Sequence, residues 1–94
     1  MESIPIISGP EERGFILGAI CSMITAERHL PVGEIGPRTV LTDDERVKYL
    51  ASLAVGYHIS FMIMEQKLGH RMTIGDLVDA AEIAISYRNA HPST

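Results

Sequence analysis

The sequence predicts an all-α protein, a small bundle of three or four helices. The same start signal, a hydroxyl residue followed three positions later by an acid, occurs three times: Ser8 with Glu11, Thr42 with Glu45, and Thr73 with Asp76. In such a capping box the hydroxyl accepts a hydrogen bond from the first turn, and the acid accepts one from the N-cap N–H. Apolar residues at helical spacing follow each signal. A length of 94 residues fits one domain, so we expect a single helical domain over residues 1–94.

The first helix is predicted over residues 10–28. Pro10 is tolerated in its first turn, and Pro31 prevents the helix from continuing much further. Its apolar positions are Phe15, Ala19, Ile20, Met23 and Ile24. Residues 1–9 are expected to form an arm, whose apolar segment 3–7 packs on the body of the protein or on a neighbour.

Residues 30–41 are predicted to form a loop, because two glycines and two prolines interrupt regular structure there. The loop also carries four apolar residues, Val32, Ile35, Val40 and Leu41. A loop of this kind packs its own side chains on the core.

The second helix is predicted over residues 43–68, and Gly69 ends it. Apolar residues alternate spacings of three and four along it: Val47, Leu50, Ala54, Tyr57, Phe61, Met64 and Leu68. Further apolar residues lie beyond this seam, and a helix that is apolar nearly all round is buried. We therefore expect a long apolar central helix, covered either within one chain or by a second copy.

The third helix is predicted over residues 74–89, with a frayed tail over residues 90–94. Its apolar face comprises Ile74, Leu77, Val78, Ala81, Ala84 and Ile85. The segment around residues 30–41 leaves open whether the bundle has three or four helices.

Composition excludes several classes of protein. The net charge of −4, the pI of about 5.4 and the lack of a basic run argue against nucleic-acid binding. The longest apolar stretch, residues 50–64, is too short and too polar for a membrane span. The chain begins without the pattern of a secretory signal peptide, so a cytoplasmic location is expected.

No motif predicts catalysis or metal binding. The four histidines form no i, i+4 pair, and no Cys-x-x-Cys occurs. Nothing near Cys21 in the sequence lowers the pKa of its thiol, and there is neither a Gly-x-Ser-x-Gly motif nor a glycine-rich phosphate loop. We expect the chain to perform no catalysis and to hold no metal.

Three stretches of the sequence resemble motifs of the acyl carrier protein family, in the same order. Residues 32–44 resemble the loop after the family's first helix, a Val/Ile…Ile-x-Pro-x-Thr-x-Leu-x-Asp-Asp run. Residues 63–69 resemble the end of its second helix, and residues 72–79 resemble its final-helix signature, Thr-Val-Gly-Asp-Leu-Val. The resemblance covers residues 30–86 and implies an acyl-carrier-like helical bundle.

The family's attachment serine has no direct counterpart. In the family, the serine of an Asp-Ser-Leu motif at the start of the second helix carries 4′-phosphopantetheine. Here residues 45–53 lack that motif, and the family position falls near Tyr49. Ser52, which precedes a leucine, is the nearest substitute.

Two further departures concern the second helix and its end. Only residues 70–72 separate the second predicted helix from the third, which leaves no room for the family's short helix. Arg46 and Lys48 weaken the acidic face that enzymes acting on carriers read.

Two functions follow. The first is a non-catalytic binding, adaptor or regulatory module without a prosthetic arm or cofactor, which meets a protein partner or a second copy through the second helix. The alternative is a divergent acyl or aminoacyl carrier with 4′-phosphopantetheine on Ser52. The acids at the start of the helix are explained either as a capping turn or as a partner site. The predicted partner-binding residues are Asp43, Asp44, Glu45, Tyr57, Phe61 and Met64.

Overall fold

Residues 11–91 are described by the computed structural model, and within them the chain folds into four α-helices and no strands. The helices are α1 (Arg13–Glu27), α2 (Asp43–Tyr57), α3 (Phe61–Leu68) and α4 (Ile74–Ala90). The prediction of an all-α bundle is confirmed, with four helices rather than three.

The first helix begins three residues later than predicted. Glu12 occupies the N-cap of α1, and its side chain makes no capping hydrogen bond within the described residues. The predicted cap at Ser8 and the arm over residues 1–9 lie outside the described residues, as do residues 92–94 of the predicted tail. The end of the helix at Glu27 is one residue from the predicted end.

The loop between α1 and α2 is attached to the start of α4 mainly through its backbone. The N–H of Gly75 donates to the carbonyl oxygen of Pro37 at 2.8 Å, and the N–H of Ile74 donates to that of Thr39 at 3.0 Å. Of the four apolar loop residues, Leu41 is buried and Ile35 packs partly on the core, whereas Val32 and Val40 are exposed. Two of the four apolar loop residues therefore pack on the core, whereas the pattern predicted that all four would.

The predicted second helix is in fact two helices, and this corrects the expectation of one long apolar helix. His58 adopts a left-handed conformation, with φ of 56°, and ends α2. Ser60 then caps α3, because its side chain accepts a hydrogen bond from the N–H of Ile63 at 3.2 Å. The apolar seam continued across the break because both helices bury residues in one core, so the heptad spacing concealed the turn between them.

The central helix of the bundle is α4. It packs against each of the other three helices, and its buried residues include Ile74, Leu77, Val78 and Ile85 together with three alanines. The small alanine side chains allow neighbouring helices to approach it closely. α1 contributes Ile16, Ile20 and Ile24 to this core, whereas α2 and α3 contribute Tyr49, Leu50, Leu53, Met64 and Leu68.

Candidate functional site

The start of α2 contains the acids that were predicted to bind a partner. Thr42 and Glu45 form the predicted capping box: the Glu45 N–H donates to the Thr42 hydroxyl at 3.1 Å, and the Thr42 N–H donates to the Glu45 carboxylate at 2.9 Å. Asp43 and Asp44 are exposed in the same turn. The capping explanation therefore accounts for Glu45, whereas the two aspartates stay accessible.

Glu45 is also bound to the end of α1. Arg28 donates to both of its carboxylate oxygens, at 2.9 and 2.5 Å, and to the carbonyl oxygen of Val40. The hydrogen bonds from Arg28 lower the pKa of Glu45 to about 2. This carboxylate joins α1 to α2 and is not free to bind a partner.

Both cations of α2 are occupied by partners within the chain. Lys48 pairs with Glu27 of α1, which also accepts a hydrogen bond from the hydroxyl of the buried Tyr49 at 2.7 Å. The hydrogen bonds from Lys48 and from Tyr49 lower the pKa of Glu27. Arg46 donates to the carbonyl oxygen of Gly69 at the end of α3, at 2.8 Å. The two cations therefore contact groups within the chain, and Asp43 and Asp44 form no ion pair among residues 11–91.

The exposed side of α2 carries a row of apolar residues that we call the α2 outer face: Val47, Ala51 and Val55. They are spaced four apart, so they lie on consecutive turns of one side of the helix, and Asp44 precedes them on that side. Val47 is 53% exposed and Val55 is 77% exposed. Single exposed apolar residues are common, but a row of them marks a surface suited to contact.

The apolar residues that were predicted to bind a partner lie elsewhere. Met64 is fully buried in the core, and Tyr57 and Phe61 are half-buried against it. Their spacing corresponds to a core seam, because α2 and α3 fold onto α4 along it. The structure therefore does not place these three residues with Asp43 and Asp44 on one exposed surface.

Ser52 is exposed on α2, at the edge of an apolar cleft between α1 and α2. This α1–α2 cleft has a volume of about 150 Å³. Its lining residues are Ile16, Ala19, Ile20, Met23, Tyr49, Ser52, Leu53 and Tyr57. The hydroxyl is accessible from solvent in the second half of α2, more than two turns from the start of the helix.

The glycines of α1 and α2 do not bring helix backbones close together. A Cβ added at Gly14, Gly18 or Gly56 meets open space. By contrast, a Cβ at Gly75 would lie 3.1 Å from the carbonyl oxygen of Pro37. The glycine that matters for packing is therefore the one at the start of α4.

The described part of the chain was also searched for metal-binding groups, a reactive thiol and membrane-spanning helices. Residues 11–91 contain no group of three or more His, Cys, Asp or Glu side chains that could hold a metal ion. Burial raises the pKa of the Cys21 thiol, which disfavours the reactive thiolate. Among the four described helices, none combines the length and the apolar character that crossing a bilayer requires.

Comparison with known proteins identified no relative of this chain. No protein-family model, curated protein or solved structure matches this chain.

Sequence reasoning missed both the α2 outer face and the α1–α2 cleft. Val47 was assigned to the buried seam, although it is spaced four residues from Ala51 and eight from Val55. That spacing, with two aspartates shortly before it, was the available signal. The cleft had no sequence signal, because its two walls come from helices separated by a long loop.

Proposed function

We propose that the protein is a non-catalytic binding or adaptor module that contacts a protein partner through the α2 outer face. The observation that carries the proposal is the exposed row of Val47, Ala51 and Val55. Burying such a row removes apolar surface from water at about 25 cal/mol per Å². Asp43 and Asp44 at its head favour a partner with basic residues beside an apolar patch.

The arrangement of the helices supports an acyl-carrier-like bundle as the frame for this function. A short α3 lies between α2 and α4, although its residues resemble the end of the family's second helix. The pairing of Lys48 with Glu27 supports an acidic start of α2, because the charge of this lysine is offset within the chain, whereas Arg46 donates to a neutral carbonyl oxygen and keeps its positive charge.

The test is affinity capture from the source extract by the full chain and two variants. Val55→Glu places a charge in the α2 outer face, and Val32→Glu makes the same change at a loop position that is 96% exposed. Both sites are solvent-accessible, so each variant should fold with stability within about 0.5 kcal/mol of the parent. We expect a protein that is retained by the parent and by Val32→Glu and is lost from Val55→Glu.

Light scattering of the same three proteins tests a second copy as the partner. A dimer mass for the parent and for Val32→Glu, with a monomer mass for Val55→Glu, would identify the second copy. Equal capture and equal mass for all three proteins would contradict a binding role for this face.

A second candidate function is a divergent carrier with 4′-phosphopantetheine on Ser52. The exposure of Ser52 favours it, because a modifying enzyme needs access to the hydroxyl. The missing Asp-Ser-Leu motif favours the adaptor instead. Intact mass after co-expression with a broad-specificity phosphopantetheinyl transferase separates the two candidates. A gain of one phosphopantetheine that Ser52→Ala abolishes, and that the exposed control Ser22→Ala retains, supports a carrier; no gain contradicts it.

A further inference from the structure

The exposed residues along one side of α2 are arranged symmetrically about Ala51. Val47 lies four residues before Ala51, and Val55 lies four residues after it. Asp44 lies seven residues before it, and His58 lies seven residues after it. All five residues are exposed. At 3.6 residues per turn they fall within an arc of about 80°, so they form one strip that contains the α2 outer face and an additional polar residue at each end.

The two ends of this strip carry complementary chemistry. Asp44 lies in the first turn of α2, and His58 is the C-cap of the same helix. Neither side chain has a hydrogen-bond or ion-pair partner among residues 11–91. An imidazole carries an N–H donor whatever its charge, whereas an ionised carboxylate only accepts. The strip therefore ends in an acceptor on one side of Ala51 and in a donor on the other.

Two antiparallel copies of α2, related by a two-fold axis at Ala51, would satisfy both ends at once. Contacts across a two-fold axis occur twice, once in each direction. Asp44 of each copy then meets His58 of the other copy. Val47 of each copy likewise meets Val55 of the other copy. Ala51 meets its own counterpart at the axis, where a small side chain allows two helices to approach closely.

We propose that the partner of the α2 outer face is a second copy of this chain, paired antiparallel along α2 with the two-fold axis at Ala51. This inference rests on the proposed function, because it uses the same face and names its partner. A parallel pairing would place the two Asp44 carboxylates together, where like charges repel. The strip is only one helix long and smaller than a standard interface of about 1,600 Å², so we expect a weak dimer that dissociates on dilution.

The test is a charge exchange across the proposed axis. His58→Asp places a carboxylate opposite Asp44 at both ends of the interface, and the dimer should dissociate at least about tenfold more readily. The double variant Asp44→Lys/His58→Asp restores opposite charges at both ends, so its dissociation constant should return to within about threefold of the parent value. Aspartate, like histidine, is enriched in the left-handed conformation that residue 58 adopts.

Sedimentation equilibrium of the full chain measures the dissociation constants, at protein concentrations up to about 1 mM because the complex is weak. His70→Asp is the matched control: it makes the same change at an exposed histidine outside the strip and should leave the dissociation constant unchanged. A monomeric parent overturns the proposal, as does a double variant that associates no more tightly than His58→Asp.

The outcomes also separate this inference from the proposed function. If the parent is monomeric, yet affinity capture retains a protein that Val55→Glu loses, the second copy is excluded and the binding role of the α2 outer face stands. If Val55→Glu changes neither the captured proteins nor the mass, both proposals fail.

Cysteine cross-linking gives an independent measurement of the helix direction. In a Cys21→Ser background, chains with Val47→Cys are mixed with chains with Val55→Cys and oxidised. The mixed 47–55 disulfide should exceed each same-site disulfide by about fivefold or more, against about twofold for random pairing, because only residues with nearby Cα atoms can be bridged. Same-site disulfides in excess would indicate a parallel pairing and overturn the proposal. This measurement decides the question if His58→Asp fails to fold.

Discussion

Removing the negative charge of Glu45 should weaken the fold at neutral pH and change how its stability depends on acid. The pKa of about 2 lies roughly 2.5 units below the ordinary value of 4.5. At 1.36 kcal/mol per unit this corresponds to about 3 kcal/mol as an upper bound. The Glu45 side chain is 14% exposed and that of Arg28 is 29% exposed. Solvent screening reduces the expected loss for Glu45→Gln to about 1–2 kcal/mol.

The sign of the pH dependence follows from the lowered pKa. Between pH about 2 and pH about 4.5 the unfolded chain binds a proton at Glu45 that the folded chain does not. The stabilisation that the Glu45 carboxylate contributes is therefore present above pH about 4.5 and is lost as the pH falls toward 2. The difference between the parent and Glu45→Gln should shrink over the same range.

Urea unfolding from pH 7 down to pH 2.5 measures this difference, and Asp44→Asn is the control. Asp44 is exposed in the same helical turn, so its variant makes the same change in net charge without breaking the pair with Arg28. Equal stability of the two variants at pH 7, or equal slopes against pH, would refute the assigned role of Glu45.

Three other substitutions test the packing. Tyr49→Phe should lower the free energy of unfolding by about 1–2 kcal/mol. Because burial raises the pKa of Tyr49, the parent should also lose stability above pH about 10, and the variant should not. Urea unfolding measures both effects. Gly75→Ala should lower the melting temperature, because its Cβ would lie 3.1 Å from a loop carbonyl oxygen, whereas Gly18→Ala, with open space in α1, should raise stability by about 0.5–1 kcal/mol. Met64→Ala should lower the free energy of unfolding by about 2–5 kcal/mol, because Met64 is fully buried. Met62 is 77% exposed, and an equally small loss for Met64→Ala and Met62→Ala would contradict the assigned core.

The starts of α2 and α4 were predicted to the residue. Thr42 and Thr73 cap these helices as expected, because a capping hydrogen bond joins groups only three residues apart. The corresponding signal failed to place the start of α1, where Glu12 is the N-cap.

The break between α2 and α3 was missed, although its residues were visible. Ser52, Gly56 and Ser60, which are spaced four apart, were interpreted as a small or polar face of one long helix. Ser60 is instead the cap of α3, and the left-handed His58 ends α2 just before it. Periodicity alone could not choose between the two, because both helices bury one side in the same core.

For the candidate site, the sequence identified the acids at the start of α2. It did not predict which apolar residues of α2 and α3 are exposed and which are buried. It singled out Asp43 and Asp44, which are exposed, and Met64, which is buried. Residue type predicts that a side chain is apolar, but its exposure depends on what packs against it. Val47 and Met64 belong to the same apolar seam, yet Val47 is exposed and Met64 is buried.

The sequence by itself determined the helical class and the capped starts of α2 and α4, because these depend on residues that are neighbours in the chain. Only the tertiary structure decided that α4 is the central helix, that the seam divides at His58 and that a cleft opens between α1 and α2. Each of these depends on contacts between helices that are far apart in sequence. Burial is a property of such contacts, and so the surface available for binding was determined by the packing of the bundle.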